Sequence, residues 1–132
     1  MKEPVWLRIE AFVHLHDVSI ARFGGSEGLR DKGLLESALD RPINVFNYRD
    51  EIDLADLAAS YAYGLSQNHP FVDGNKRAAL LACGVFLEMN GWKLVADPAD
   101  TYRAVVTLAA GKITEGEFAE WIRQNRETEI PR

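Results

Sequence analysis

The chain has 132 residues, 47% of them hydrophobic and 27% charged, with a formal net charge of −5. That length makes one domain, 1–132, in which roughly two-thirds of the unfolded surface can be buried around one core. The acidic balance, with no Lys/Arg cluster beyond Lys76-Arg77, excludes a direct nucleic-acid partner; the longest apolar run, Ala78 to Leu87, is too short to cross a bilayer, so a cytoplasmic protein without a membrane partner is expected.

Helices are expected almost throughout. Pro4 to about Phe23 places Trp6, Ile9, Val13 and Ile20 at helical spacing, and Gly24-Gly25 ends the segment. Lys32 to Arg41 reads as a short second helix, capped by Asp31 and stopped before Pro42. The stretch from Arg41 to Ile52 breaks the pattern: Val45, Phe46 and Tyr48 favour extended backbone and Asn44 and Asn47 favour turns, so a short extended segment is expected. Asp53 then opens a third helix to about Asn68, with Leu54, Leu57, Ala58, Tyr61 and Leu65 inward.

From Lys76 to Asn90 the chain is apolar on every face, which belongs at the centre of a bundle, and Gly91 stops it. Trp92 to Val95 is a short extended piece. Asp97-Pro98 combines a cap with proline at the first helical position of a helix ending near Gly111, and Thr114 to Glu117 has capping-box spacing before a last helix through Asn125. Arg126 to Arg132 read as a frayed tail. Cys83, the single cysteine, reads as a small core residue, and His14 and His16 fall on different helix faces and make no joint metal site.

The chemistry concentrates in His69-Pro70-Phe71-Val72-Asp73-Gly74-Asn75-Lys76-Arg77, between two helices. Unpaired amides and the macrodipole at the start of the central helix favour an anion there, and Lys76 and Arg77 add two positive charges. Those cations oppose the dipole unless an anion is bound, and such local conflicts gather at functional sites. Histidine changes charge near neutral pH, which makes His69 the candidate general base. Asp73 is a hard oxygen ligand for Mg²⁺ shared with nucleotide phosphates. Gly74 permits a turn close to a ligand, Asn75 is expected to cap the helix and orient a phosphate, Lys76 supplies a point charge and Arg77 a fork for two phosphate oxygens. Phe71 is the expected structural anchor.

This string resembles the signature of the Fic superfamily, HPFx[D/E]GNGRxxR, in the form used by its Doc (death on curing) branch, HxFx[D/N]xNKR. Arg22 to Gly25, Gly28 to Asp31, Gly33 to Leu39, Arg41-Pro42 and Asn90 to Trp92 are similar to Doc text as well. The resemblance implies an all-α Fic/Doc-type helical bundle around a central apolar helix, with a flap at Val45, Phe46 and Tyr48 that holds the target; a structural crossover loop is the other reading of that segment. His16 falls where Doc sequences often carry histidine, although a polar residue at the bundle surface explains it equally well. Further implied are a toxin of a type II toxin–antitoxin pair, ATP as substrate with Mg²⁺, a Phd-like or other antitoxin as partner, and phosphorylation of elongation factor Tu. Lys76 and Leu80 replace the second glycine and second arginine of the Fic pattern, which favours a kinase over an AMP transferase; a non-catalytic co-regulator bound to its antitoxin is the remaining alternative. The inhibitory pattern [S/T]xxxE[G/N] is incomplete, since Gly111 stands in its first position before Glu115-Gly116, so a separate antitoxin is expected.

Overall fold

The computed structural model describes residues 1–129, which form six helices and one two-stranded sheet. The helical fold expected from the sequence is the one observed. In chain order the elements are α1 (Ile9–Phe23), α2 (Lys32–Tyr48), α3 (Leu54–Asn68), α4 (Asn75–Met89), β1 (Trp92–Leu94), α5 (Pro98–Ala109), α6 (Glu115–Gln124) and β2 (Arg126–Thr128). The centre is shared: α3 buries Ala55, Leu57, Ala58, Tyr61, Ala62 and Leu65, while α4 buries Ala78, Ala79, Ala82, Cys83, Phe86 and Leu87 beside it. Burial pushes the Cys83 thiol up to about 12, so it packs as a small apolar group and is unreactive at neutral pH.

Capping follows the sequence closely. Asp31 accepts from the Leu34 amide, Asp53 and Asp56 close a reciprocal box on α3, Asp97 caps α5 with Pro98 at its first position, and Thr114 and Glu117 close a second box on α6.

Four local expectations need correction. α1 begins at Ile9, not Pro4, because the preceding backbone is held elsewhere: the Val5 amide donates to Asn90 Oδ1 at 2.8 Å, and the Leu7 amide to the Tyr61 hydroxyl at 3.1 Å. α2 runs through Pro42 to Tyr48, so no extended flap exists at Val45, Phe46 and Tyr48. Local propensity is overruled there by packing. Leu35, Ala38, Leu39 and Pro42 are buried, Gly64 of α3 lets the helices approach so closely that a Cβ on it would lie 3.3 Å from Ala38 Cα, and Phe46 packs edge-on against Trp6 at 5.7 Å. Val45 and Phe46 thus pack on the core and Tyr48 is left exposed at the helix end.

Within the tail, Arg126–Thr128 is a strand and not a frayed end, pairing antiparallel with β1 in the register Trp92↔Thr128 and Leu94↔Arg126. Arg126 also lies over the Trp92 ring at 4.3 Å. Residues 130–132 of the expected tail lie outside the described residues. Finally, His16 is fully buried on α1 and is no surface residue, whereas His14 is exposed, so the two do fall on different faces.

Candidate active site

The motif leaves α3 through a sharp turn. His69 takes a left-handed conformation, φ 50 and ψ 54, as the C-cap of α3; it is the single non-glycine residue with positive φ among the described residues. That cap ends the helix and turns the chain into buried Pro70. The His69 side chain is exposed and makes no hydrogen bond among the described residues, while its carbonyl accepts from Arg30 Nε at 2.8 Å. Arg30 also donates from Nη2 to the Asn68 carbonyl at 3.1 Å, and the amides of Arg30 and Asp31 both donate to the Pro70 carbonyl. The 28–31 segment therefore braces the turn, with an isolated bridge between Leu29 and Phe71 and a bond from the Val72 amide to the Gly28 carbonyl.

Phe71 is the anchor its sequence context suggests. It is 1% exposed and lies between the Phe12 ring, 6.2 Å away, and the His16 ring, stacked at 3.8 Å. Asn75 differs from expectation in one respect: it does not cap α4. Its Oδ1 accepts from the Phe71 amide at 2.9 Å and its Nδ2 donates to the Phe71 carbonyl at 3.0 Å, so the amide side chain closes the loop. The N-cap of α4 is Gly74, at φ 74 and ψ 28, with no side-chain cap. The first amides of α4 thus keep their affinity for an anion.

Asp73 presents an exposed carboxylate held in two directions. The Ser26 amide donates to Oδ2 at 3.1 Å and the Gly74 amide to Oδ1 at 2.8 Å, and these bonds, with the Arg77 charge nearby, hold its pKa below the usual carboxylate value. Space for the first bond depends on Gly25, at φ 123: a Cβ there would lie 3.0 Å from Asp73 Oδ2 and 2.9 Å from Ile20 Cδ1. Beneath the carboxylate, His16 Nε2 lies 3.0 Å from the Asp73 carbonyl. Burial lowers the His16 pKa, leaving the imidazole neutral.

Arg77 donates from Nη1 to the Gly24 carbonyl at 3.0 Å and lies 5.9 Å from the Phe23 ring centroid, which leaves most of its donors unused; Lys76 is exposed and unpaired among the described residues. His69, Val72, Asp73, Gly74, Asn75, Lys76, Arg77 and Tyr102 line one cavity of about 370 Å³. The structure thus gathers His69, Asp73, Gly74, Asn75, Lys76 and Arg77 around one space, and separates from it Val45, Phe46 and Tyr48. Glu115 does not line the cavity either; it is engaged at 2.7 Å with both terminal nitrogens of Arg41.

No cluster of three or more His, Cys, Asp or Glu able to hold a metal by protein ligands alone occurs among the described residues. A lone ionised carboxylate beside cations fits Mg²⁺ that arrives with phosphate oxygens, the mode in which this ion is usually held at nucleotide sites. Tyr102 of α5 was missed by sequence reasoning. It follows the motif by a whole helix and a strand, and nothing in its local sequence marks it.

A family model described as the Fic/DOC family matches residues 6–87. The protein kinase doc of Escherichia phage P1 is 33% identical over 115 residues, covering 87% of this chain and 90% of the phage protein. Toxin Doc of Mycolicibacterium smegmatis is 45% identical over 76 residues, which span 57% of this chain and 58% of that protein. Among the described residues no helix is long and apolar enough to cross a membrane.

Proposed function

The chain belongs to the Fic/DOC family, and on that premise we propose that it is a Doc-type toxin that transfers the γ-phosphoryl group of ATP to a hydroxyl of a protein. In this reading the target hydroxyl gives its proton to the His69 imidazole as its oxygen bonds to the γ-phosphorus, and the bond to the ADP oxygen breaks in line. Lys76, the free donors of Arg77 and the N-terminus of α4 stabilise charge on the transferring group. Asp73 would hold Mg²⁺, which supplies charge neutralisation on the phosphates when bound.

One observation carries the choice of phosphoryl over AMP transfer. Lys76 puts a long cation where the Fic pattern has glycine, filling space along the turn, and Leu80, in place of the second arginine, packs half-buried against the core and offers no grip on distal phosphates. The nucleotide then sits with its γ-phosphate nearest His69. Elongation factor Tu is the proposed target, with arrest of translation as the consequence, and a separate Phd-like or other antitoxin is the proposed partner. Glu115, whose carboxylate is committed to Arg41, supports inhibition from outside the chain.

The test is incubation of the chain with ATP, Mg²⁺ and elongation factor Tu, followed by intact mass measurement of the factor. A gain of one phosphate is expected. A gain of one AMP would overturn the argument from Lys76 and Leu80, and an unmodified factor would remove it as the target.

A further inference from the structure

His16 is 0% exposed, yet it is polar and sits directly under the site. Its Nε2 faces the Asp73 carbonyl at 3.0 Å, and a carbonyl oxygen can only accept, so the proton resides on Nε2. Nδ1 is then a bare acceptor, and it is the one buried side-chain polar atom without a hydrogen-bond partner among the described residues. Folding alone does not call for such a group. A phenylalanine at this position would keep the stacking on Phe71 and remove the unpartnered nitrogen.

Contacts around the ring point upward to the loop. A Cβ on Gly74 would lie 3.0 Å from His16 Cε1 and 3.0 Å from Ile20 Cδ1, so the imidazole is seated against the backbone that turns into α4. The same residue, Asp73, is held by its carboxylate from Ser26 and Gly74 and by its carbonyl from His16.

We infer that His16 is a positioning residue: its Nε2–H fixes the Asp73 carbonyl, and through it aims the Asp73 carboxylate at a divalent cation carried by the nucleotide. The inference rests on the reading of Asp73 given above. Outer groups of this kind typically set metal affinity by about 10- to 100-fold.

The experiment compares wild type, His16→Phe, His16→Gln and Asp73→Asn in the full chain. ATP binding is measured by calorimetry with excess Mg²⁺ and again with EDTA. His16→Phe is expected to lose at least about tenfold of the Mg²⁺-dependent gain in ATP affinity while its affinity in EDTA stays at the wild-type value, and His16→Gln, which restores a donor, to recover most of the gain. An undiminished gain in His16→Phe overturns the inference. If wild type and Asp73→Asn show the same gain, the assignment of Asp73 fails first; His16 is then judged by its ¹⁵N imidazole spectrum, where protonation at Nδ1 in place of Nε2 refutes the contact. Should His16→Phe fail to fold, His16→Leu takes its place beside His16→Gln: loss of the gain in His16→Leu with recovery in His16→Gln supports the donor role, and an undiminished gain in His16→Leu overturns it.

Discussion

Replacing His69 by alanine separates its assigned chemistry from any part in the fold. The side chain is exposed and makes no hydrogen bond among the described residues; the bonds that hold this corner use the His69 carbonyl, which alanine retains. Its backbone sits at φ 50, a conformation that alanine tolerates somewhat less well than histidine, and His69→Asn provides a control whose side chain tolerates this region. Surface substitutions of this kind change stability by about 0.5 kcal/mol, or a thermal midpoint by roughly 1–3 °C in a chain of this size. Loss of a general base costs about 10²- to 10⁴-fold in turnover, equivalent to roughly 3–5 kcal/mol on the barrier. The assay is single-turnover transfer from ATP to the protein target, run beside thermal denaturation of each variant. Both variants are expected to melt near wild type and to transfer at least a hundredfold more slowly. Turnover within a few-fold of wild type in either folded variant would refute the role of His69.

Tyr102→Ala is expected to raise the KM for ATP by roughly 5- to 150-fold with kcat nearly unchanged, and Tyr102→Phe to behave as wild type, because a ring lining the cavity can stack on a base for about 1–3 kcal/mol; equal loss in both variants would assign the effect to the hydroxyl. Lys76→Met should stabilise the free protein by about 0.3–1 kcal/mol, since it removes a cation from a helix N-terminus, while abolishing most of the rise in melting temperature caused by ATP. A less stable free variant that retains the full ATP effect would contradict this. For acid stability the decisive group is Asp53: burial raises its pKa, but hydrogen bonds and charge from Arg123, with the Asp56 amide and Arg126, outweigh burial and bring it down to about 2. Its stabilisation is therefore complete above the usual carboxylate value and disappears as pH falls from about 4 toward 2, so melting temperature should drop across that window in wild type and less steeply in Asp53→Asn, which keeps a capping side chain.

What the sequence made legible follows from the range of the forces involved. Caps at Asp31, Asp53, Asp97 and Thr114 are decided within four residues of themselves, and all four appear as read. Lys76 and Arg77 stood out in the sequence because charge at a helix start conflicts with the dipole wherever the helix is placed. The continuation of α2 through Pro42 was not legible, for it depends on Gly64, Trp6 and the face of α3, none of them local. Asn75 shows the same limit at the site itself: its type permits either capping or bracing, and only the path of the chain at Phe71 decides for bracing. His16 and Arg30 lie roughly forty to sixty positions from the backbone they hold, and no spacing rule links them to it.

The division of the site along the chain suggests how one chemistry can meet different substrates. Residues 6–87, the span that matches the family, contain His69, Asp73, Lys76 and Arg77 together with every residue that braces them, from His16, Gly25 and Ser26 to Arg30. Among the described residues, the hydrogen bonds that brace the loop all come from within that span, on α1 to α4 and the segments between them. Tyr102 is, among the described residues, the one lining the cavity that lies beyond that span, on α5, a helix held to the bundle by buried Val105 and Leu108 and able to present a different residue at this exposed position. A substitution there is expected to alter what the cavity takes up without disturbing the loop that carries the proposed transfer. Loss of Tyr102 is for that reason expected in KM, and loss of His69 in kcat.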